Sequence, residues 1–394
     1  MNVKFVGYAL SPDRSYATVG SSAAANRYQL GLLRGVYARI GGGLSVTTRL
    51  PAAPWPKSKL LFVRREKLEL FDGCVTCVLP MLNLPFVKQF WSALAAYRDV
   101  MCWARANRGG VVVGYNLNSF LGVAAALAAK RKGLPFVYLF TDPPYANTRK
   151  GLLWRLAYHA NASMVRYAID RAAGIVTVNA GAVEAYAPGK PYCVIEGGVE
   201  PEEVRPEAPP EPKTAVYGGG LSAHNGLERL IDGFMRTTDP EYRLIIYGRG
   251  VLEAVLKEQA KDDPRILFPG YVSSGEMAAA QRRAAVLVNP RPSNLEICRT
   301  TFPSKLMEYL ASGRPVITTR LPGILPEYGP YLSFVDDESP EGYAEALDRI
   351  LSLRPETLAA MGESGRNFVC SNKNWDVQAC VLLDFIAGIG EEQP

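Results

Sequence analysis

A chain of 394 residues, 48% hydrophobic and 21% charged, has the make-up of an ordinary globular protein and is long enough for two domains. Seven cysteines, odd in number and scattered, exclude a disulfide framework and suit a reducing cytoplasm. The net charge of +6 is unevenly held: residues 1–203 carry 24 Lys and Arg against 12 Asp and Glu, a net of +12, and the rest carries −6, so the two halves are expected to meet different partners.

Met1 to Val6 runs directly into a strand over Val3–Tyr8, and no signal peptide is expected. A loop rich in Ser, Gly and Ala follows, then a helix from about Asn26 to Ile40 and a strand over Ser45–Arg49. Residues 52–60 are Pro-rich and irregular. Cys74-Val75-Thr76-Cys77 has a redox or zinc spacing, but its surroundings read as a strand, with neither a second ligand pair nor a helix start, so a structural role is expected. Residues 86–107 form an amphipathic helix rich in Phe, Trp and Tyr. Residues 109–129 are uncharged for 21 positions, long enough for a membrane span. A short strand at Val111–Val113, a polar loop and an Ala-rich helix capped by Ser119 is the better reading. A strand at 136–140, a basic helix at 150–169 and a strand over Gly174–Val178 complete the βα rhythm of a doubly wound sheet.

Residues 200–213 are acidic and Pro-rich and read as a linker. The rhythm then restarts with strands at 214–217, 243–247, 265–268 and 285–288, separated by helices at 225–236, 250–260 and 275–283. Helices near Pro340–Ser352, 355–370 and 375–388 close the chain, and no internal repeat is evident.

The stretch Asn289–Tyr328 carries the most chemistry. It reads as a strand end, a polar loop, a helix and a second strand. Pro303 suits a first helical turn, with Ser304 and Glu308 four apart on one face. Gly313 suits the left-handed cap, and Val316-Ile317-Thr318-Thr319 is a buried-strand run. Lys305 at a helix start, facing a loop with Arg291, makes an anion site, and Glu308 one turn further in can accept vicinal hydroxyls. Phosphate beside ribose describes a nucleoside diphosphate.

The pattern NPR…E…FPSK.MEYL.SG.PV…LPGI..EY, as it stands here, resembles the donor-binding signature of family-4 type (GT-B) glycosyltransferases. It is most similar to the bacterial branch that builds exopolysaccharide, capsule or O-antigen chains. The resemblance implies an α/β fold of two Rossmann-like domains with an interdomain cleft. Residues 1–203 would bind the acceptor and residues 204–374 the nucleotide sugar, with a C-terminal helix, about 375–394, crossing back to the first domain.

It also implies site residues. The loop Tyr217-Gly218-Gly219-Gly220 and Asn225 would lie along the diphosphate, with Gly248 and Tyr271 bordering the nucleotide. Many relatives place an arginine near Gly220 and a lysine near Asn225; this chain has neither, and Arg291 and Lys305 are the replacement cations. Ser304, Lys305 and Glu308 complete the donor site. The first of the family's two glutamates corresponds to Thr300, leaving Glu296 to contact the donor sugar or to stand as a solvated loop carboxylate. His224 would touch phosphate or simply be solvated. On the acceptor side, Gly20, Ser21, Ser22 and Asn26 follow the first strand, and Tyr115, Asn116 and Asp142 follow later ones. Asp142 would orient or deprotonate the acceptor hydroxyl, or else serve a turn.

The reading is a retaining transferase that passes a sugar from a nucleotide-sugar donor to a glycan or lipid-linked glycan acceptor. No Asp-x-Asp occurs, so no metal and no cofactor is expected, the diphosphate charge being met by side chains. A basic first half interleaved with aromatics, at Trp55–Lys59, Phe86–Trp91 and Lys150–Arg155, suggests an anionic membrane surface as partner. No nucleic-acid motif accompanies it. The expected location is the cytoplasm, peripheral to the inner face of the membrane. Two rivals share the scaffold: a non-catalytic nucleotide-sugar-binding subunit and a nucleotide-sugar epimerase.

Overall fold

The computed structural model describes residues 1–11, 22–116, 119–144, 151–201 and 210–391. The chain divides into two compact units, Met1–Gly198 with Trp375–Pro394, and Val199–Asn374.

The first unit is built on β1 (Val3–Gly7), β2 (Leu44–Thr48), β3 (Phe62–Val63), β4 (Glu66–Phe71), β5 (Cys74–Val78), β6 (Met81–Leu82), β7 (Val111–Tyr115), β8 (Phe136–Phe140), β9 (Gly174–Thr177) and β10 (Tyr192–Val194). Eight of these form one sheet in the order β10-β9-β8-β7-β1-β2-β5-β4. β1, β7 and β8 are buried at every position, as befits central strands of a sheet covered on both faces, and the one charged residue among them, Lys4 in β1, is paired with Asp99 at 2.7 Å. Pairing is parallel except at the edge, where β4 runs antiparallel to β5. Asp72-Gly73, with Gly73 at φ 77°, makes the tight turn between them; this is a hairpin signal that the βα rhythm hides. Cys74 and Cys77 lie within β5. Residues 109–129 hold β7 and the start of a helix, and no described helix is long and apolar enough to cross a membrane.

The helices of this unit are α1 (Ala23–Ile40), α2 (Val87–Ala106), α3 (Ser119–Lys132), α4 (Leu152–Arg171) and α5 (Ala180–Tyr186). α1 starts before the expected Asn26, because Ser22 caps it by accepting from Ala25 N at 3.4 Å. The terminal helix Trp375–Glu391 belongs to this unit and buries Trp375, Ala379, Leu382 and Ile386 in its core. The Trp375 indole lies against the bare Cα of Gly31, where any side chain would overlap it.

The second unit has one six-stranded parallel sheet: β11 (Thr214–Gly218), β12 (Arg243–Tyr247), β13 (Ile266–Gly270), β14 (Val286–Asn289), β15 (Val316–Thr319) and β16 (Ser333–Val335). Its order is β13-β12-β11-β14-β15-β16, the doubly wound arrangement in which chain direction across the sheet reverses between β11 and β14. The helices are α6 (Leu227–Phe234), α7 (Glu253–Gln259), α8 (Ser274–Arg283), α9 (Lys305–Ala311), α10 (Pro340–Leu351) and α11 (Pro355–Asn372). α6 buries Leu227, Leu230, Ile231 and Phe234, one face at helical spacing. It is shorter than expected because residues 223–225 form a separate 3-10 turn ending at Gly226, φ 69°. Val199 N donates to Lys373 O at 2.9 Å, so the two strands of chain that bound this unit pair with each other.

Candidate functional site

In open parallel sheets a ligand crevice forms at the carboxyl edge where strand order reverses. In the second unit that edge is the end of β11 and the end of β14. β11 runs out into Gly218-Gly219-Gly220, and β14 into Asn289-Pro290-Arg291. α9 begins with Lys305 and brings its side chain to the same edge.

The glycine loop is held from below by two tyrosines. Tyr309, fully buried on α9, accepts from Gly218 N at 3.0 Å. Tyr217, 1% exposed, donates its hydroxyl to Gly220 O at 2.9 Å. Asn225 Nδ2 donates to the same carbonyl at 2.7 Å and to Ser222 Oγ at 3.2 Å, so its amide is occupied in shaping the loop. Gly248 has φ 132°, and a Cβ there would overlap Gly219 O, so no other residue fits.

Lys305 lies directly on this loop. Its Nζ donates to Tyr217 Oη at 3.1 Å and sits 4.6 Å from the Tyr217 ring centroid. A Cβ on Gly219 would collide with the ammonium. Burial and the neighbouring Arg291 charge push the Lys305 pKa down to about 8, with Glu308 acting in the opposite direction. Arg291 is fixed through its backbone, whose carbonyl accepts from Thr319 Oγ1, while Tyr343 Oη donates to Pro290 O at 3.0 Å. Neither Arg291 nor Lys305 is in an ion pair among the described residues. Two cations therefore share a half-buried edge beside a loop of bare backbone, which is an arrangement for binding an anion with several charged oxygens.

The remaining donor-side residues vary in placement. Glu308 is half-buried one turn into α9, near enough to Lys305 to influence its charge. Ser304 precedes the helix as its cap residue, outside it, and makes no side-chain capping bond. α9 has only seven residues, so positive charge at its start comes mainly from Lys305 and not from a long helix dipole. Gly313 does close the turn after it at φ 73°. Glu296 is exposed on a 3-10 turn, Glu296–Arg299, and His224 is exposed on its own turn. Tyr271 is 67% exposed, with the Arg249 guanidinium 4.5 Å from its ring centroid. Tyr309 stands in the MEYL of the pattern and Tyr217 heads the glycine loop, but the spacing gives neither a role of its own, and it does not single out Arg249. A strand-end aromatic before a glycine loop is the hint that could have singled out Tyr217.

In the first unit, Gly20 and Ser21 lie outside the described residues. Ser22 is engaged as the α1 cap. Asn26 is 7% exposed and clamps Leu10 both ways, accepting from its N–H and donating to its carbonyl, each at 2.9 Å. Asn116, 5% exposed, receives Thr141 N at 3.1 Å and donates to Asp142 O at 2.8 Å, tying the ends of β7 and β8 together. Tyr115 is buried and accepts from Thr141 Oγ1 at 3.1 Å. Desolvation raises the Asp142 carboxyl above the usual carboxylate range, and the Thr141 hydroxyl partly offsets this. Asp142 is exposed at this edge, its carbonyl held by Asn116, while Asn26 holds the backbone of Leu10 after β1.

Residues 212–353 match the family described as glycosyl transferases group 1. No curated protein matches the chain by sequence. Among solved structures it is similar to sucrose-phosphate synthase from Thermosynechococcus elongatus, with a TM-score of 0.68, 17% identity and 99% of each chain covered. It is also similar to HepE of Anabaena in complex with UDP, with a TM-score of 0.66, 13% identity, and 98% of this chain and 100% of that one covered. A third is the lipopolysaccharide outer core galactosyltransferase WaaB in its apo form, with a TM-score of 0.64, 14% identity, and 98% and 99% covered. The chain thus has the GT-B fold, and its second unit carries the group 1 glycosyl transferase match.

Proposed function

We propose that this protein is a glycosyltransferase that moves a sugar from a nucleoside-diphosphate sugar to an acceptor hydroxyl with retention of configuration, in the making of a bacterial polysaccharide or glycolipid. The observation that carries this is Lys305, held against the bare backbone of Gly219 at the β11–β14 crevice with Arg291 beside it. Preorganised cations at a departing diphosphate stabilise the charge that develops there. Glu308 accepts the ribose hydroxyls, and Glu296 faces the donor sugar from its turn. The Anabaena relative has been solved with UDP, with UDP and glucose, and with UDP-glucose, which supports a uridine nucleotide as the first donor to try. Charge neutralisation by Arg291 and Lys305 dispenses with a divalent ion, so EDTA leaves turnover unchanged.

A thermal-shift screen of UDP, GDP, dTDP and ADP sugars tests the donor, because a ligand that binds only the folded state raises its stability. Product analysis on the donor that binds then reports transfer and anomeric configuration. Binding without transfer or donor hydrolysis would favour a non-catalytic subunit instead.

The first unit supplies a surface for the membrane side of this reading. Phe86 is 83% and Phe90 66% exposed, and Trp55, Trp91, Leu152 and Trp154 are exposed as well. Lys57, Lys59 and Arg155 are exposed among them, whereas Lys88 is buried and adds nothing to that surface. Basic groups near anionic headgroups gain about 1 kcal/mol each, and buried aromatics add to this. Co-sedimentation with anionic vesicles, weakening as salt rises, is the test; protein that stays in the supernatant at low salt points to a soluble acceptor.

A further inference from the structure

The first unit contains a second pair of cations that the donor site does not explain. Arg49 is the residue after β2 and is 4% exposed. Lys88 lies in the first turn of α2 and is 6% exposed. Arg49 N donates to Gly7 O at 2.9 Å and its Nη1 donates to Tyr8 Oη at 3.2 Å, while its Nε is buried with no partner. Lys88 Nζ donates to Ala52 O at 2.7 Å. Among the described residues neither side chain is in an ion pair; of the unit's two buried acids, Asp99 is bound to Lys4 and Arg65, and Glu196 accepts from Gln378 at 3.4 Å. Two buried positive charges without a counter-charge are strongly unfavourable unless an anion joins them. Burial, and the Arg49 charge beside it, push the Lys88 pKa down to about 8.

Their position gives the anion a meaning. The order β7-β1-β2 places β1 where the strand sequence reverses in this unit. Tyr8 follows β1, Arg49 follows β2, and Tyr115, Thr141 and Asp142 stand at the ends of β7 and β8. Because these strands are parallel, all of these residues lie along one carboxyl edge. We propose that Arg49 and Lys88 bind a phosphoryl group of the acceptor, so that the acceptor is a phosphorylated sugar or a sugar carried on a pyrophosphate. The guanidinium fork supplies planar donors to two oxygens, and the ammonium supplies a point charge to a third. This rests on the glycosyltransferase reading and names the chemistry of its acceptor.

Inorganic sulfate is the probe, because it does not titrate near neutrality. The protein is first saturated with the nucleoside diphosphate that the donor screen selects, which occupies Arg291 and Lys305. Failure of that nucleotide to bind strikes the donor reading and leaves the present one to the sulfate response. Sulfate should then bind saturably, with a dissociation constant that rises about tenfold from about pH 7 to about pH 9 as Lys88 loses its proton. Among the described residues the charged group facing Lys88 is Arg49, which donates to the Tyr8 hydroxyl. Lys88→Met should abolish sulfate binding, and Lys88→Arg should restore it without the pH dependence. No sulfate response in the natural protein overturns the proposal. So does an equal response in Lys88→Met, which would mean an adventitious ion only. If Lys88→Met does not fold, sulfate binding that is unchanged between the two pH values overturns it instead. Competition separates the two sources: displacement by a hexose 6-phosphate in solution supports a soluble acceptor, displacement only by a polyprenyl-pyrophosphate sugar in vesicles supports a lipid carrier, and displacement by neither overturns the assignment to the acceptor.

Discussion

The ammonium of Lys305 donates to the hydroxyl of Tyr217 at 3.1 Å and lies over the same ring at 4.6 Å from its centroid. Tyr217 in turn donates to Gly220 O, so a single buried phenol sets the height of both the cation and the glycine loop. A loop with no side chains and a lysine at a defined height above it is what a diphosphate needs on its two sides. Removing that lysine should therefore affect turnover far more than stability. Lys305→Ala should lower kcat/KM by two or more orders of magnitude, about 3 kcal/mol of transition-state stabilisation. Steady-state kinetics beside a thermal melt checks this, and a folded variant with near-normal activity would remove Lys305 from the chemistry.

The depressed pKa of Lys305 makes donor binding pH-dependent with a definite sign. The free group titrates at about 8 in place of its ordinary 10.5. A bound diphosphate favours the charged form, so binding near pH 8 takes up about half a proton. Affinity should weaken by about fivefold from about pH 8 to about pH 9 as the ammonium is lost. Calorimetry in buffers of different ionisation enthalpy measures the uptake directly. The stability of the nucleotide-free protein runs the other way. Between about 8 and 10.5 the unfolded chain holds this proton and the folded one does not, so Lys305 adds stability as pH rises through that window.

Tyr309 offers a test of loop support that leaves the cations untouched. Its hydroxyl accepts from Gly218 N at 3.0 Å in a fully buried position. Tyr309→Phe keeps the ring and strands that N–H, which should cost about 1–3 kcal/mol in urea unfolding. Donor affinity should fall as well, because the loop loses one of its two tyrosine supports. An unchanged unfolding midpoint would mean that the hydroxyl is not needed to hold the loop.

Glu308 is the residue expected to discriminate the ribose. Glu308→Gln keeps the shape and replaces charge-assisted acceptance with a neutral amide. The dissociation constant for the nucleoside diphosphate should rise by about tenfold, roughly 1.4 kcal/mol, with an unaltered melt. A dissociation constant that does not move would make Glu308 a purely structural partner of α9.

The strands and helices were legible along the chain because hydrophobic periodicity and capping are local. The burial of β7 and β8, the Gly313 turn and the meeting of Arg291 and Lys305 near one helix start all follow from short stretches. The antiparallel edge of β4 and β5 was announced only by Asp72-Gly73, a signal masked by the surrounding βα rhythm. Other features needed the fold. Gly218 and the Tyr309 hydroxyl that holds it are 91 residues apart, and no spacing rule links them. Lys88 sits in an aromatic stretch that reads as a basic surface, yet it is buried beside Arg49. Phe86 and Phe90, neighbours in the same stretch, are exposed. Propensity and patterning act over a few residues, but which face of α2 meets the end of β2 depends on strands paired across the whole unit. The residue types were therefore set by the sequence, and their burial, partners and charge by tertiary packing.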